Sequence, residues 1–279
     1  MIYDVKLIHC GDYIQVYKFD YERSKLNKKD QENKIFNIKK VDTDNLVKES
    51  RVQEFKSIML TNAIRSNLNC QRIAKANRDS WETFITLTFA ENITDLNYAN
   101  NVFHNWVSNI RKLKKDFKYL AVPEFQKRGA VHYHILSNLG LEDKEIILKQ
   151  KEKKGQAVNC NQLYDVRYWS KGFARVDFIK NDYKKIYSYI CKYMTKDIDN
   201  KLFGRHRYFN SQNLVKPTEE YLNLNNPLDL THFIELTRDK NIEYNSNYLD
   251  CYTGNDIQFM ELCSNKELNI IYIIGSMIF

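Results

Sequence analysis

The chain has 279 residues, 43% of them apolar, and a formal net charge of +8. That allows one sizeable domain with decorations or two small ones. It contains no stretch suited to crossing a membrane and no export signal, because Asp4 and Lys6 interrupt the first apolar run. Six scattered cysteines with no Cys-x-x-Cys argue against a zinc ribbon or disulfide framework and for free thiols in a reducing cytoplasm; the basic balance is compatible with a polyanionic partner without establishing one.

Residues 1–19 alternate in polarity around Gly11-Asp12, with Val5, Leu7, Ile14 and Val16 on one face, which predicts a hairpin. Residues 21–50 are polar and lysine-rich and read as an exposed or mobile connection. Residues 51–79 carry apolar side chains at helical spacing, among them Ala63, Ile64 and Leu68. Residues 82–90, with Phe84, Ile85, Leu87, Phe89 and three threonines, predict a strand. Asp95 or Asn97 can cap a helix over 98–115 that turns Ala99, Val102, Phe103, Trp106, Ile110 and Leu113 inward. Its last turn is basic, which suits the negative helix end and also a phosphate.

Residues 119–126 and 131–136 predict a second hairpin, with Lys127-Arg128-Gly129 as a three-residue loop and Gly129 at the left-handed position. Val131, Tyr133 and Ile135 point one way; His132, His134 and Leu136 point the other. Folding about Arg128 sets Glu124 opposite His132, so Glu124, His132 and His134 converge on one face. Two imidazoles and a carboxylate suit Mn²⁺ or Zn²⁺ better than Mg²⁺, with open positions left for a substrate oxygen. Taken alone, His-x-His is more often an ordinary pair on a solvated strand.

Further along, residues 141–154 read as a charged amphipathic helix and 155–171 as irregular. Tyr164, Tyr168 and Trp169, beside Arg167 and Lys171, suit base stacking and a core role equally. Residues 172–178 read as a strand. Asn181 or Asp182 can cap a helix reaching about residue 199. On it Tyr183, Ile186, Tyr187, Ile190 and Met194 form an apolar stripe. Tyr189 and Tyr193 lie at its edge four residues apart, with Lys192 and Lys196 beyond. In a chain with nineteen tyrosines such a pair is also easily met by chance. Arg205 and Arg207 follow as candidate phosphate contacts. Residues 219–279 contain no motif, and their apolar end, 268–279, reads as a buried strand. The predicted class is α+β, with a central antiparallel sheet and the histidine hairpin in its middle. The predicted division is 1–80, 81–218 and 219–279.

Three stretches carry a family resemblance. Phe84-Ile85-Thr86-Leu87-Thr88-Phe89, Val131-His132-Tyr133-His134-Ile135-Leu136 and Tyr189-Ile190-Cys191-Lys192-Tyr193-Met194-Thr195-Lys196 resemble, in order, motifs I, II and III of the HUH endonucleases. The likeness is to the rolling-circle replication initiators of small single-stranded DNA phages and plasmids. Residues Gly204 to Phe209, with Ser211 and Pro217, resemble the segment that follows motif III. The resemblance covers about residues 80–218 and implies a five-stranded ferredoxin-like sheet with the tyrosine helix packed on it. It implies a divalent ion, Mg²⁺ or Mn²⁺, on Glu124, His132 and His134. It implies nucleophilic Tyr193, with Tyr189 second, assisted by Lys192 and Lys196, in a bacterial cytoplasm. Candidate DNA contacts are Lys127, Arg128, Trp169, Arg205 and Arg207. The expected partners are single-stranded origin DNA and a host polymerase and helicase, since no Gly-x-x-x-x-Gly-Lys-Ser/Thr loop is present. Three alternatives remain: a transposase or relaxase with the same chemistry, a metal-dependent hydrolase using water, and a non-catalytic nucleic-acid-binding module.

Overall fold

The computed structural model describes residues 1–25, 47–149, 163–179, 190, 205–250 and 254–264. It divides into two compact units, residues 1–53 with 216–279, and residues 54–215. The class is α+β, built on antiparallel sheets, as the alternation of strand and helix signals implied. Among the described residues no helix is long and apolar enough to cross a membrane.

The first unit is a five-stranded sheet. Its strands are β1 (Ile2–Cys10), β2 (Tyr13–Ser24), β10 (Thr218–Leu222), β11 (Lys240–Leu249) and β12 (Asp256–Ser264). Across the sheet they run in the order β10-β1-β2-β12-β11. β1 and β2 form the expected hairpin, turning at Gly11 with φ of 66°. Val5, Leu7, Ile14 and Val16 line a core with Leu222, Met260, Leu262 and Phe233. Phe233 comes from a helix over Pro227–Thr237, capped by the side chain of Asn226. The motif-free C-terminal segment thus supplies three of the five strands that complete the N-terminal hairpin. The connection read as polar linker is shorter than expected: β2 runs to Ser24, and helix α1 (Val47–Ala76) begins at Val47. Residues 268–279 lie outside the described residues.

The second unit holds a seven-stranded sheet. Its strands are β3 (Thr83–Phe89), β4 (Tyr119–Phe125), β5 (Val131–Ser137), β6 (Ile146–Lys149), β7 (Leu163–Val166), β8 (Gly172–Phe178) and β9 (Phe209–Asn210). Their order is β6-β7-β8-β3-β5-β4-β9. The resemblance implied five strands; the extra ones are short edge pairings. The segment read as a helix over 141–154 turns at 141–145 and then forms β6, paired with β7. A brief run such as Ile146-Ile147-Leu148 carries too few residues to separate the helical period from the strand period. Its β-branched pair favours the extended form.

One face of this sheet is covered by α2 (Leu96–Leu113), capped by Asp95, whose side chain accepts from Asn97 N. Ala99, Phe103, Trp106 and Ile110 pack against Ile85, Leu87, Tyr133 and Ile135. Leu113, expected inward, is exposed, because the helix ends there and the chain turns toward β4. Phe103 and Tyr133 stack with ring centroids 4.6 Å apart. Trp106 Nε1 donates to Arg167 O at 3.0 Å and ties α2 to the β7–β8 turn. The opposite face buries Phe84, Leu120, Val122 and Leu136. At the end of α1, Asn77 donates to Ile73 O and Val215 O and accepts from Val215 N.

Phe103 is fully buried between helix and sheet. Phe103→Ala is expected to cost about 3–5 kcal/mol of stability. Chemical denaturation should show this as a lowered midpoint with little change in slope.

Candidate active site

The histidine hairpin forms as its spacing predicts. Gly129 has φ of 88°, a left-handed conformation that costs glycine little. Gly129 N donates to Gln126 O at 2.7 Å, and Gln126 N to Ala130 O at 2.8 Å, closing the loop. In register, Glu124 stands opposite His132, and Val122 opposite His134. On the other side of β5, His132 faces Thr88 and His134 faces Thr86. Both imidazoles are buried, His132 at 7% and His134 at 5% exposure.

The two histidines differ in their partners. With Glu124 ionised, His134 Nε2 donates to Glu124 Oε2 at 2.7 Å, and Thr86 Oγ1 donates to His134 Nδ1 at 3.3 Å. His134 also stacks on Phe84, centroids 5.9 Å apart. His132 Nε2, by contrast, is buried with no hydrogen-bond partner. Burial pushes the His132 pKa down to about 4; the neighbouring His134 and Arg128 add to the fall, and Glu124 opposes it. His132 is therefore neutral near pH 7, with a lone pair available at its orphaned nitrogen when the proton sits on Nδ1. A buried polar atom without a partner costs about 1–3 kcal/mol, and such an atom is a common mark of a ligand position.

These observations bear on the predicted metal ligands. The donor set of Glu124, His132 and His134 fits a divalent ion in chemistry: a buried orphan nitrogen, a second imidazole and a carboxylate on one face. The three are not gathered as a closed cage. Glu124 and His134 hold each other directly, and among the described residues no three His, Cys, Asp or Glu side chains are grouped to hold a metal ion.

Tyr133, between the histidines, faces the core, donates to Asn100 Oδ1 at 2.7 Å, and has its hydroxyl pKa raised by burial. It is a structural tyrosine, unsuited to act as a nucleophile. The predicted nucleophiles Tyr189 and Tyr193, with Lys192 and Lys196, lie outside the described residues. Ile190, on the stripe predicted as core, is helical and fully buried.

The predicted DNA contacts divide. Lys127 and Arg128 are exposed at the hairpin tip, where Arg128 Nε donates to Gln126 Oε1 at 2.9 Å. Arg205 is exposed, donates to Asn97 Oδ1 at 2.9 Å, and borders a cavity of about 300 Å³ with Phe125 and Gly129. Arg207 is buried, which removes it as a surface phosphate contact. Trp169 is buried too. Its indole N–H donates to Thr88 O at 3.0 Å and its ring meets Phe89 at 5.1 Å, so it serves the core and not a base. Sequence reasoning passed over Thr86, Thr88, Phe173 and Arg175. Their signal was the alternation of β3 and β8, which sets them in rows with the histidines once the pairing is known.

Residues 82–198 match the family model of the replication-associated proteins of the ORF2 type. That span runs from β3 through the histidine hairpin and past the predicted tyrosines. The chain is also 27% identical over 132 residues to the "Phasyl DNA replicon protein arp" of Escherichia coli, covering 42% of this chain and 44% of that protein. It thus spans less than half the length of that relative. No solved structure matches.

In the metal-free protein, the depressed His132 pKa has a consequence for stability. Between pH 6.5 and about 4 the unfolded chain takes up a proton at this residue that the folded protein refuses. Stability should therefore fall as pH drops through that window, by about 2–3 kcal/mol at most. Urea unfolding at stepped pH should show the loss, and His132→Gln should flatten it.

Proposed function

We propose that this chain is a replication initiator that nicks single-stranded DNA at an origin through a tyrosine nucleophile and later rejoins the strand. One observation carries the reading. His132, buried, neutral and orphaned at Nε2, stands in the same sheet row as Glu124 and on one face with His134, inside the stretch that matches the replication-associated family. A family of replication-associated proteins suggests contact with DNA; the basic hairpin tip and Arg205 suit its phosphates.

A phosphodiester resists attack because its oxygens repel a nucleophile. A divalent ion held by Glu124, His132 and His134 would supply charge neutralisation at the scissile phosphate. His132 accepts such an ion without losing a proton, whereas His134 must give up the one it shares with Glu124, so loading should release a proton. In the sheet, Thr86 and Phe84 hold the His134 ring in place, and Tyr133 anchors the strand between the two imidazoles.

Tyr193 is the proposed nucleophile. Its hydroxyl oxygen forms a bond to phosphorus as the bond to the 3′ oxygen breaks. The hydroxyl proton leaves to a base or solvent, and the departing 3′ oxygen is protonated. Lys192 and Lys196 would favour the phenolate. The product is a 5′-phosphotyrosine and a 3′-hydroxyl that primes synthesis. Because the phosphodiester energy is retained in the covalent link, rejoining needs no ATP. Tyr189 is proposed to make the second cut after one round, closing a circle. A host helicase and polymerase would complete the process.

Incubation with an end-labelled single-stranded oligonucleotide and Mn²⁺ should yield a protein-linked band. Tyr193→Phe should reduce it strongly and Tyr189→Phe/Tyr193→Phe abolish it; His132→Ala should lower the rate by about 10²-fold or more. Cleavage that continues in the double variant with no adduct would identify water as the attacker instead.

A further inference from the structure

β8 extends the histidine face of the sheet, and it does so in the open. Phe173 stands opposite Thr88, which stands opposite His132 on the next strand. Arg175 stands opposite Thr86, which stands opposite His134. Side chains directly opposed in antiparallel strands share a face. Phe173 and Arg175 therefore lie on the same surface as the two imidazoles, two strands away, which is about 10 Å. The rest of the face changes character along each row. His132 and His134 are buried, while Phe173 is 63% exposed and Arg175 is exposed beside it. Val176 and Ala174, between and beside them in sequence, point to the core.

An exposed phenylalanine in the middle of a sheet face is costly to leave in water, and here it has charged neighbours. Asp177 Oδ1 accepts from Arg175 Nε and Nη2, both at 3.0 Å, which lays the guanidinium along the strand. Lys171, two residues before Phe173, is exposed. Next to Phe173 opens a cavity of about 390 Å³ bordered by Ala90, Ile93, Tyr98, Ser170 and Lys171. Tyr98 there is 43% exposed. The strand begins at Gly172 because a side chain at that position would collide with Thr88 O, so the backbone holds Phe173 at a fixed height above the sheet. An aromatic ring, a cavity large enough for a base and two cations are the parts of a platform for unpaired nucleic acid.

We propose that Phe173, Arg175 and Lys171 bind an unpaired nucleotide flanking the phosphate at the histidines, with the base stacked on Phe173 and the backbone on the two cations. This rests on the nicking reading for its placement. It goes further in naming the surface that selects single strands over duplex, because a base held in a helix has no free face to offer.

Fluorescence anisotropy with the full chain tests this, using a fluorescein-labelled single strand of about 16 nucleotides and the same strand annealed to its complement. Phe173→Ala should weaken single-strand binding about tenfold or more and leave duplex binding unchanged, while Phe173→Trp should restore it. Arg175→Ala should weaken it too and reduce the slope of log affinity against log salt by about 0.7. Wild-type affinity in both Phe173→Ala and Arg175→Ala would overturn the platform. Adduct formation with Mn²⁺, read in parallel, separates the two ideas. An adduct from protein whose platform variants bind normally overturns the platform alone. Platform-dependent binding in a wild-type chain that forms no adduct overturns the nicking reading alone.

Discussion

The site depends on the two-residue period of β5. Val131, Tyr133 and Ile135 must face α2 for the core to close, and that obligation turns His132 and His134 to the other side. The stack of Tyr133 on Phe103, with the hydroxyl bonded to Asn100, makes a slip of the strand by one residue expensive. Such a slip would carry both imidazoles into the apolar core and Tyr133 out of it. Core packing therefore positions the chemistry.

The polar side of the same strand is settled by its neighbours. Thr86 on β3 and Glu124 on β4 reach His134 from the two sides, which orients one imidazole fully. His132 receives no such support and is left neutral and buried with a bare nitrogen. This asymmetry is the feature of the sheet least explained by stability, since burial of an unpartnered ring nitrogen opposes folding. The proposed divalent ion accounts for it, and the match of residues 82–198 to replication-associated proteins gives that proposal a biological setting.

The same sheet passes from buried to open across three strands. Near β4 and β5 its polar face is closed around the histidines; at β8 it presents Phe173 and Arg175 to solvent. A buried reaction centre beside an exposed aromatic and basic surface suits an extended polymer, most of which must remain outside while one linkage enters.

Local order was legible in the residues themselves. The turn at Gly129, the alternation of β5 and the facing of Glu124 with His132 follow from loop length and a period of two, and the Asp95 cap from side-chain chemistry. Those are short-range constraints, set by steric and hydrogen-bonding preferences of adjacent residues. Other features required contacts distant in sequence. Trp169 and Arg207 carry the same chemistry whether buried or exposed, and only the packing of Phe89 and the strands around them put both inside. Residues 141–149 hold too short an apolar run to reveal a strand until β7 pairs with it. The N-terminal hairpin shows no sign in its own residues that β10 and β12, over 200 positions later, would flank it. Strand order arises from long-range pairing and burial, which local preferences do not encode, and so the rows that join Phe173 and Arg175 to the histidines were decided by the tertiary structure alone.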